Sequence, residues 1–169
     1  MFTKQKRKEA ELGSYSSTST RLSERKEMVR TAAMAAAVGF LVIAAFEAAL
    51  VLGAPLGRAA WGGFYEQQLP MGLRIASGVA VGVWLLAALI VLGRAGFQVI
   101  PLPAAILRWG TWGLVGLLFV GAVMNIASSS GWERFGWAPV VLILGVLCLI
   151  VARSEPVSGG RLKAGNAVM

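Results

Sequence analysis

The chain has 169 residues, of which 57% are hydrophobic, and it carries a formal net charge of +8. It contains no His and no Asp, which excludes a Ser-His-Asp triad, a His-bearing metal site and an aspartyl nucleophile. We therefore predict that the protein is not an enzyme and that it holds no cofactor and no metal. The basic tails contain no nucleic-acid-binding motif, so nucleic acid is not a predicted partner.

The chain opens with a polar segment. Residues 1–22 are charged and then rich in Ser and Thr, with too few apolar side chains to offset the entropy cost of ordering. We predict a disordered cytoplasmic tail there and a second flexible cytoplasmic tail over residues 154–169. Between the two tails, residues 23–153 are predicted to form one transmembrane domain.

Four apolar runs make up this domain, at residues 31–57, 75–93, 109–132 and 135–152, and Glu47 is their one charged residue. Crossing about 30 Å of hydrocarbon takes about 20 helical residues. The runs predict spans at about 30–53, 74–93, 106–127 and 136–152, in an all-α, antiparallel four-helix bundle. A cleaved signal peptide is the alternative for the first run, but about thirty residues precede it, more than the n-region of an ordinary signal peptide has.

The basic residues are distributed unevenly between the two sides of such a bundle. Four crossings would place 13 of the 16 basic residues on the side of both termini and only Arg58, Arg74 and Arg134 on the other. This asymmetry is typical of the positive-inside rule. It predicts a protein of the bacterial cytoplasmic membrane with both termini in the cytoplasm.

Glu47 is the polar group that the sequence makes most conspicuous. An ionisable residue inside a span is costly and faces the bundle interior, either paired or in a wet cavity. We favour an ion pair with Arg74, with Arg58 as the next partner; the alternative is a proton, cation or ligand site. The predicted ligand or ion-pair residues, all at the outer side, are Glu47, Arg58, Arg74, Asn125, Glu133 and Arg134.

The connection between the first two spans is rich in Gly and Pro, which predicts defined turns and a structured outer loop. An outer aromatic cluster accompanies it: Trp61, Phe64, Tyr65 and Trp132. We favour anchoring of these rings in the headgroup layer, and the alternative is a lid over a small-molecule pocket. The single cysteine, Cys148, is predicted to be a small buried apolar side chain.

Three motifs together resemble a family of small four-span bacterial integral membrane proteins for which no activity is known. The motifs are GAPLGRAAWGG, LPMGLRIAS, and MN-x-x-S followed by ER-x-x-W-x-P, and the resemblance covers residues 45–152. It implies no activity. It does imply that the shared residues lie together on the outer side, among them Gly53, Trp61, Arg74, Asn125, Glu133 and Trp137.

Small residues recur along the spans, and side chains suited to catalysis are few. The predicted function is therefore that of an accessory or assembly subunit. Its predicted partners are the lipid bilayer and either a second copy of the chain or another integral membrane protein. The alternative is a small-solute or proton-linked permeation or binding protein that uses Glu47 and the outer mouth. A lipid-acting enzyme with Glu47 or Glu133 as acid or base is a third hypothesis. Direct packing of Glu47 on Arg74 would favour a structural role, and an open cavity between them would favour a site.

Overall fold

The structure, a computed structural model, describes residues 2–99 and 101–154, with side chains from residue 18 onward. This part of the chain is helical, with four long helices: α1 (Phe2–Val51), α2 (Met71–Arg94), α3 (Ala104–Ala127) and α4 (Ala138–Ala152). Four segments are long and apolar enough to cross a membrane, namely Thr18–Val51, Met71–Arg94, Ala104–Ala127 and Trp132–Ala152. The predicted four-helix transmembrane fold is confirmed, and the protein is a multi-pass membrane protein.

The helices form a closed ring in chain order. Each packs against its neighbours in sequence, and α4 returns to pack on α1. We call the end that carries the α1–α2 and α3–α4 connections the loop end. The opposite end, with the α2–α3 connection and the last residues of α4, is the terminal end.

The N-terminal segment differs from its prediction. Helix α1 begins at Phe2, whereas the sequence predicted disorder over residues 1–22. Lys, Gln, Glu, Ala and Leu are good helix formers, and a segment that extends an existing helix needs no new nucleus. The C-terminal tail predicted from residue 154 lies, apart from Ser154, outside the described residues.

The main core lies between the helices and reaches from Val29 and Ala152 at the terminal end to Ala122 and Val141 towards the loop end. Its fully buried members include Ala33, Ala36 and Phe40 of α1, which share one buried cluster with Val91 of α2 and Cys148 of α4. Small side chains let helix backbones approach closely in a membrane, where packing rather than hydrophobicity drives association. The prediction that Cys148 is a buried apolar side chain is confirmed.

The terminal end is also tied by a buried arginine. Arg94, the last residue of α2, donates from Nη2 to the Ala152 carbonyl at 3.4 Å and to the Ser154 carbonyl. These carbonyls belong to the end of α4, where a cation meets the negative end of the helix dipole. Arg94 therefore joins the ends of α2 and α4.

The α1–α2 connection folds back onto the bundle as a structured loop, as predicted. Helix α1 ends where Gly53 takes φ +88°, a conformation that favours glycine. Two 3₁₀ turns follow, at Gly57–Ala59 and Trp61–Gly63. Three residues from α1 and the loop, Leu50, Ala60 and Leu69, form a second small buried cluster.

The α3–α4 connection contains a π-helical turn, Trp132–Trp137, that runs directly into α4. The fourth span therefore starts at Trp132 and not at the predicted residue 136. Such wide turns are frequent at functional sites. Here the turn presents Glu133 and Trp137, one turn apart, to the α1–α2 loop.

Candidate functional site

Glu47 does not form the ion pair that the sequence predicted. Arg74, in the first turn of α2, donates from Nε and Nη2 to the Val51 carbonyl oxygen at 2.9 and 2.7 Å. The last carbonyls of α1 have no partner within their own helix, and a cation is favourable at that negative end. The prediction of a Glu47–Arg74 pair is therefore wrong, because the end of α1 takes the guanidinium.

Arg58, the second predicted partner of Glu47, is also used elsewhere. Its guanidinium forms a salt bridge of 2.6 Å with Glu66, and both side chains are largely exposed. Arg134 donates from Nε to the Ile126 carbonyl at 3.2 Å and from Nη2 to the Ser128 carbonyl at 2.7 Å. It thereby caps the end of α3. All three outer arginines thus have acceptors other than Glu47.

The Glu47 carboxyl group has one polar neighbour that the structure identifies, the hydroxyl of Ser77 on α2. Ser77 is fully buried, and its oxygen accepts a hydrogen bond of 3.4 Å from the Trp61 indole. The second carboxyl oxygen of Glu47, Oε2, is buried and has no hydrogen-bond partner. A buried carboxyl oxygen without a partner costs free energy, so this atom needs an explanation.

Glu47 faces a cavity of about 720 Å³ between α1, α3, α4 and the α1–α2 loop. We call it the loop-end cavity. Its volume is in the range of small-molecule sites, which run from about 300 to 1,000 Å³. Glu47, Asn125 and Glu133 supply its charged and amide groups, and Ser128 and Ser129 its hydroxyl groups. The other lining residues are Ile43, Phe46, Ala59, Ala60, Trp61, Gly62, Phe64, Trp84, Met124, Ala127, Trp137 and Val141.

The aromatic walls of the loop-end cavity are held in place by their own contacts. Trp84 stacks on the buried Phe40 ring, with centroids 5.7 Å apart. Phe46 packs against Trp137 at 4.7 Å. The Trp137 indole donates to the Ala59 carbonyl at 2.9 Å. Fixed rings of this kind make a pre-formed wall, which reduces the entropy cost of binding.

The loop over the cavity is fastened to the α3–α4 side. The Gly62 amide donates to Glu133 Oε1 at 2.8 Å, and the Ser130 hydroxyl donates to the Arg58 carbonyl at 2.9 Å. Trp61, Gly62 and Gly63 all have positive φ, at 53°, 80° and 73°. For Trp61 this conformation is strained, and such strain persists only where the surrounding contacts impose it.

The predicted aromatic cluster divides into three environments. Trp61 and Phe64 line the loop-end cavity, and Tyr65 packs on the small buried cluster around Leu50. Trp132 is 66% exposed on the outside of the π-helical turn. The lid hypothesis therefore describes the placement of Trp61, while Phe64, which also lines the cavity, and Trp132 have the exposure expected of interfacial anchors.

Among the predicted polar residues, Glu47, Asn125 and Glu133 come together at the loop-end cavity, whereas Arg58, Arg74 and Arg134 do not. Asn125 donates to the Gly121 carbonyl at 2.9 Å within α3. Arg58 lies across the Gly62–Phe64 segment, in a separate hollow of about 800 Å³ that also contains Glu66. The outer mouth predicted as one site is thus divided by the loop.

Three residues of the site were not among the predicted site residues, although the resemblance placed Ser77 and Trp137 on the outer side. Phe46 and Trp137 form the aromatic wall, and Ser77 is the polar neighbour of Glu47. Phe46 had a usable signal, since Ile43, Phe46 and Glu47 have the i, i+3, i+4 spacing of one helix face. Ser77 had a weaker one, as a hydroxyl in an otherwise apolar helix.

No family model, no curated protein and no solved structure matches this chain. The resemblance to four-span bacterial membrane proteins therefore stays a prediction, and the function has to be argued from the geometry of the loop-end cavity.

Proposed function

We propose that this multi-pass membrane protein binds a small solute in the loop-end cavity, with Glu47 as the recognition group. One observation carries the proposal: a carboxylate within a membrane span faces a cavity and has an oxygen atom that is buried without a partner. An intramembrane ionisable residue is by default a candidate functional group. Each basic group predicted as its partner is bound to other atoms.

The other carboxylates at the loop end differ from Glu47 in this respect. Glu133 accepts the Gly62 amide, and Glu66 pairs with Arg58. The Glu133 contact holds the loop, and the Glu66–Arg58 pair is an exposed salt bridge within the loop. For Glu47, the cost of the unpartnered oxygen is offset once a ligand in the cavity brings a positive charge close to the carboxyl group.

We propose that the protein binds its solute in the cavity and does not conduct it through a pore. Towards the terminal end, the space beyond Trp84 is filled by Phe40, Ala36 and Ala33, each fully buried. A solute that enters at the loop end therefore meets packed side chains halfway through the bundle. Permeation would require a second arrangement of these helices.

The location that we propose is the bacterial cytoplasmic membrane, with the loop end outside and both termini in the cytoplasm. The charge asymmetry of the chain supports this orientation, since most Lys and Arg residues belong to the terminal end. The cavity would then sample solutes from the external side. Accessibility labelling of single cysteines placed at Gln67 and at Arg153 in intact cells tests it, and labelling only at Arg153 would contradict it.

The role of assembly subunit stays a prediction, as does the absence of enzyme activity. Native mass spectrometry of the detergent-solubilised protein tests the first. A stable lone monomer with nothing co-purifying would argue against it, while a defined oligomer would support it. Lipid turnover assays with Glu47→Gln and Glu133→Gln test the second, and turnover lost in either variant would overturn it.

Solute binding is tested by thermal unfolding of the full chain in a non-ionic detergent, followed by intrinsic tryptophan fluorescence. Separate samples receive neutral, anionic, zwitterionic or cationic small solutes. A ligand at 100 times its Kd stabilises a protein by about 2.7 kcal/mol, so at least one class should raise the midpoint by several degrees. We expect this shift to disappear in Glu47→Gln.

Glu27→Gln is the matched control, since Glu27 is an exposed residue of α1 that lies at the terminal end of the bundle, away from the loop-end cavity. It should respond to solutes as the unmodified protein does. If no class of solute raises the midpoint, or if the shift is the same in Glu47→Gln, the proposed function is wrong.

A further inference from the structure

The charge balance of the loop-end cavity is one-sided. Two carboxylates line it, Glu47 and Glu133, while neither Lys nor Arg occurs among the described residues of its lining. The nearby guanidinium groups of Arg74 and Arg134 are bound to backbone carbonyls at the ends of α1 and α3. An anionic ligand would therefore meet like charge with no cationic side chain to compensate it, and a cationic ligand would be favoured.

The rest of the lining is unusually aromatic. Five rings contribute to it, from Phe46, Trp61, Phe64, Trp84 and Trp137. The indole N–H groups of Trp61 and Trp137 are already donated to Ser77 and to the Ala59 carbonyl. These two rings therefore offer apolar and π surface, not hydrogen-bond donors. Aromatic rings attract ammonium groups through their quadrupoles, and rings arranged in a cage recognise quaternary ammonium ions.

The size and composition of the cavity separate an organic cation from an inorganic one. A hard metal cation needs about six oxygen ligands, whereas most of this lining is hydrocarbon. A volume of about 720 Å³ accommodates an organic molecule with several carbon groups. Such a molecule could place its charge at the carboxylates and its apolar part against the rings.

We propose that the loop-end cavity binds an organic ammonium ion that carries an apolar or aromatic group, with the ammonium at Glu47 and the apolar part against Phe46, Trp84 and Trp137. This inference rests on the proposed function and names its ligand class. The ammonium group could belong to a free solute or to the headgroup of a phosphatidylethanolamine lipid, since the chemistry is shared.

The test is isothermal titration of benzyltrimethylammonium into the full chain in phosphatidylglycerol nanodiscs. We expect saturable binding that is weakened at least about tenfold in Glu47→Gln, because a charge-assisted contact is lost. Glu27→Gln should bind as the unmodified protein does. Phe46→Leu, which keeps an apolar side chain but removes the ring, should weaken binding about three- to tenfold.

A photoreactive diazirine analogue of the same cation provides a measurement that does not depend on any variant. Cross-links should map by peptide mass spectrometry to the segments that line the cavity: residues 43–47 of α1, residues 59–64 of the loop, Trp84 of α2, or residues 124–141. Absence of saturable binding, equal affinity in Glu47→Gln, or cross-links confined to other segments would each overturn the inference.

Two further arms separate the related outcomes. If a neutral or anionic solute stabilises the protein through Glu47 while benzyltrimethylammonium does not bind, the ligand class is wrong and the proposed function stands. If no solute of any class binds, both the ligand class and the proposed function are wrong. Loss of the titration signal in nanodiscs of phosphatidylethanolamine would identify the lipid headgroup as the source of the ammonium, and an unchanged signal would identify a free solute.

Discussion

The two ends of the bundle differ in what occupies the space between the same four helices. Towards the terminal end, Ala33, Ala36 and Phe40 are fully buried and the helices pack without a gap. At the loop end, a cavity of about 720 Å³ lies between α1, α3 and α4 under the α1–α2 loop. The comparison indicates that small residues close a membrane bundle, whereas aromatic side chains fixed by their own contacts keep part of it open.

The largest expected effect comes from opening a cavity in the packed half. Phe40→Ala removes a fully buried ring that stacks on Trp84, and it should lower the free energy of unfolding by about 3 kcal/mol. The same substitution at Phe64, which is 78% exposed, should change it by less than about 0.5 kcal/mol. Unfolding by SDS titration in mixed micelles measures both, and equal effects would abolish the distinction between the ends.

The next effect concerns the backbone of the loop. Gly63 has φ +73°, and an added Cβ would lie 2.9 Å from Ser130 Cβ. Gly63→Ala should destabilise the protein by about 1–2 kcal/mol and increase hydrogen exchange of the loop amides. Gly131→Ala is the control, because Gly131 has φ −60° and open space around it. A loop that exchanges as before in Gly63→Ala would contradict the importance of this conformation.

The carboxylates at the loop end should respond with opposite signs to the loss of charge. Glu133→Gln weakens a charge-assisted bond to the Gly62 amide and should cost about 1 kcal/mol. Glu47→Gln removes a charge with an unpartnered buried oxygen and should stabilise the ligand-free protein by about 1 kcal/mol.

Glu66→Gln serves as the reference for both variants, since its ion pair with Arg58 is exposed and should contribute little. Thermal unfolding in detergent without added solute gives all three values. A destabilised Glu47→Gln would show that Glu47 holds the fold together, and its assignment to a binding site would lose its basis.

The smallest expected effect is that of a substitution at the edge of the cavity, and a buried position in the packed half serves as its comparison. Ala127 lines the cavity and is exposed, so Ala127→Leu should change stability by less than about 0.5 kcal/mol. Ala36 is fully buried, and Ala36→Leu should cost about 1–3 kcal/mol through overpacking. Unfolding in the presence of a stabilising solute should show weaker binding in Ala127→Leu, because the added side chain fills part of the cavity.

The four spans were predictable because hydrocarbon thickness sets their length and because runs of that length are rare outside membranes. The start of the fourth span could not be predicted. Nothing in the segment WERFGW distinguishes a π-helical turn from an ordinary connection. The helical structure before Arg21 was missed because the prediction of disorder relied on the lack of apolar side chains. It did not consider that good helix formers can extend a helix that already exists further along the chain.

Of the site, the sequence revealed Glu47, since one charge in an apolar run stands out. Its environment could not be predicted, because the competing acceptor for Arg74 was a backbone carbonyl at the end of α1. Every helix end has such carbonyls, and no residue type marks which of them an arginine will reach. The cavity itself depends on how rings from α1, α2 and the π-helical turn pack together, which no local spacing specifies.

The α1–α2 loop is fastened to the α3–α4 side through its own main-chain atoms. The groups that fasten it are side chains of Ser130, Glu133 and Trp137, and they reach the carbonyls of Arg58 and Ala59 and the amide of Gly62. Every amino acid except proline offers both of these atoms. Positions 58 and 59 should therefore tolerate extensive substitution during evolution, while positions 130, 133 and 137 should not. Deep mutational scanning should show that positions 58 and 59 accept most substitutions, whereas positions 130, 133 and 137 accept few.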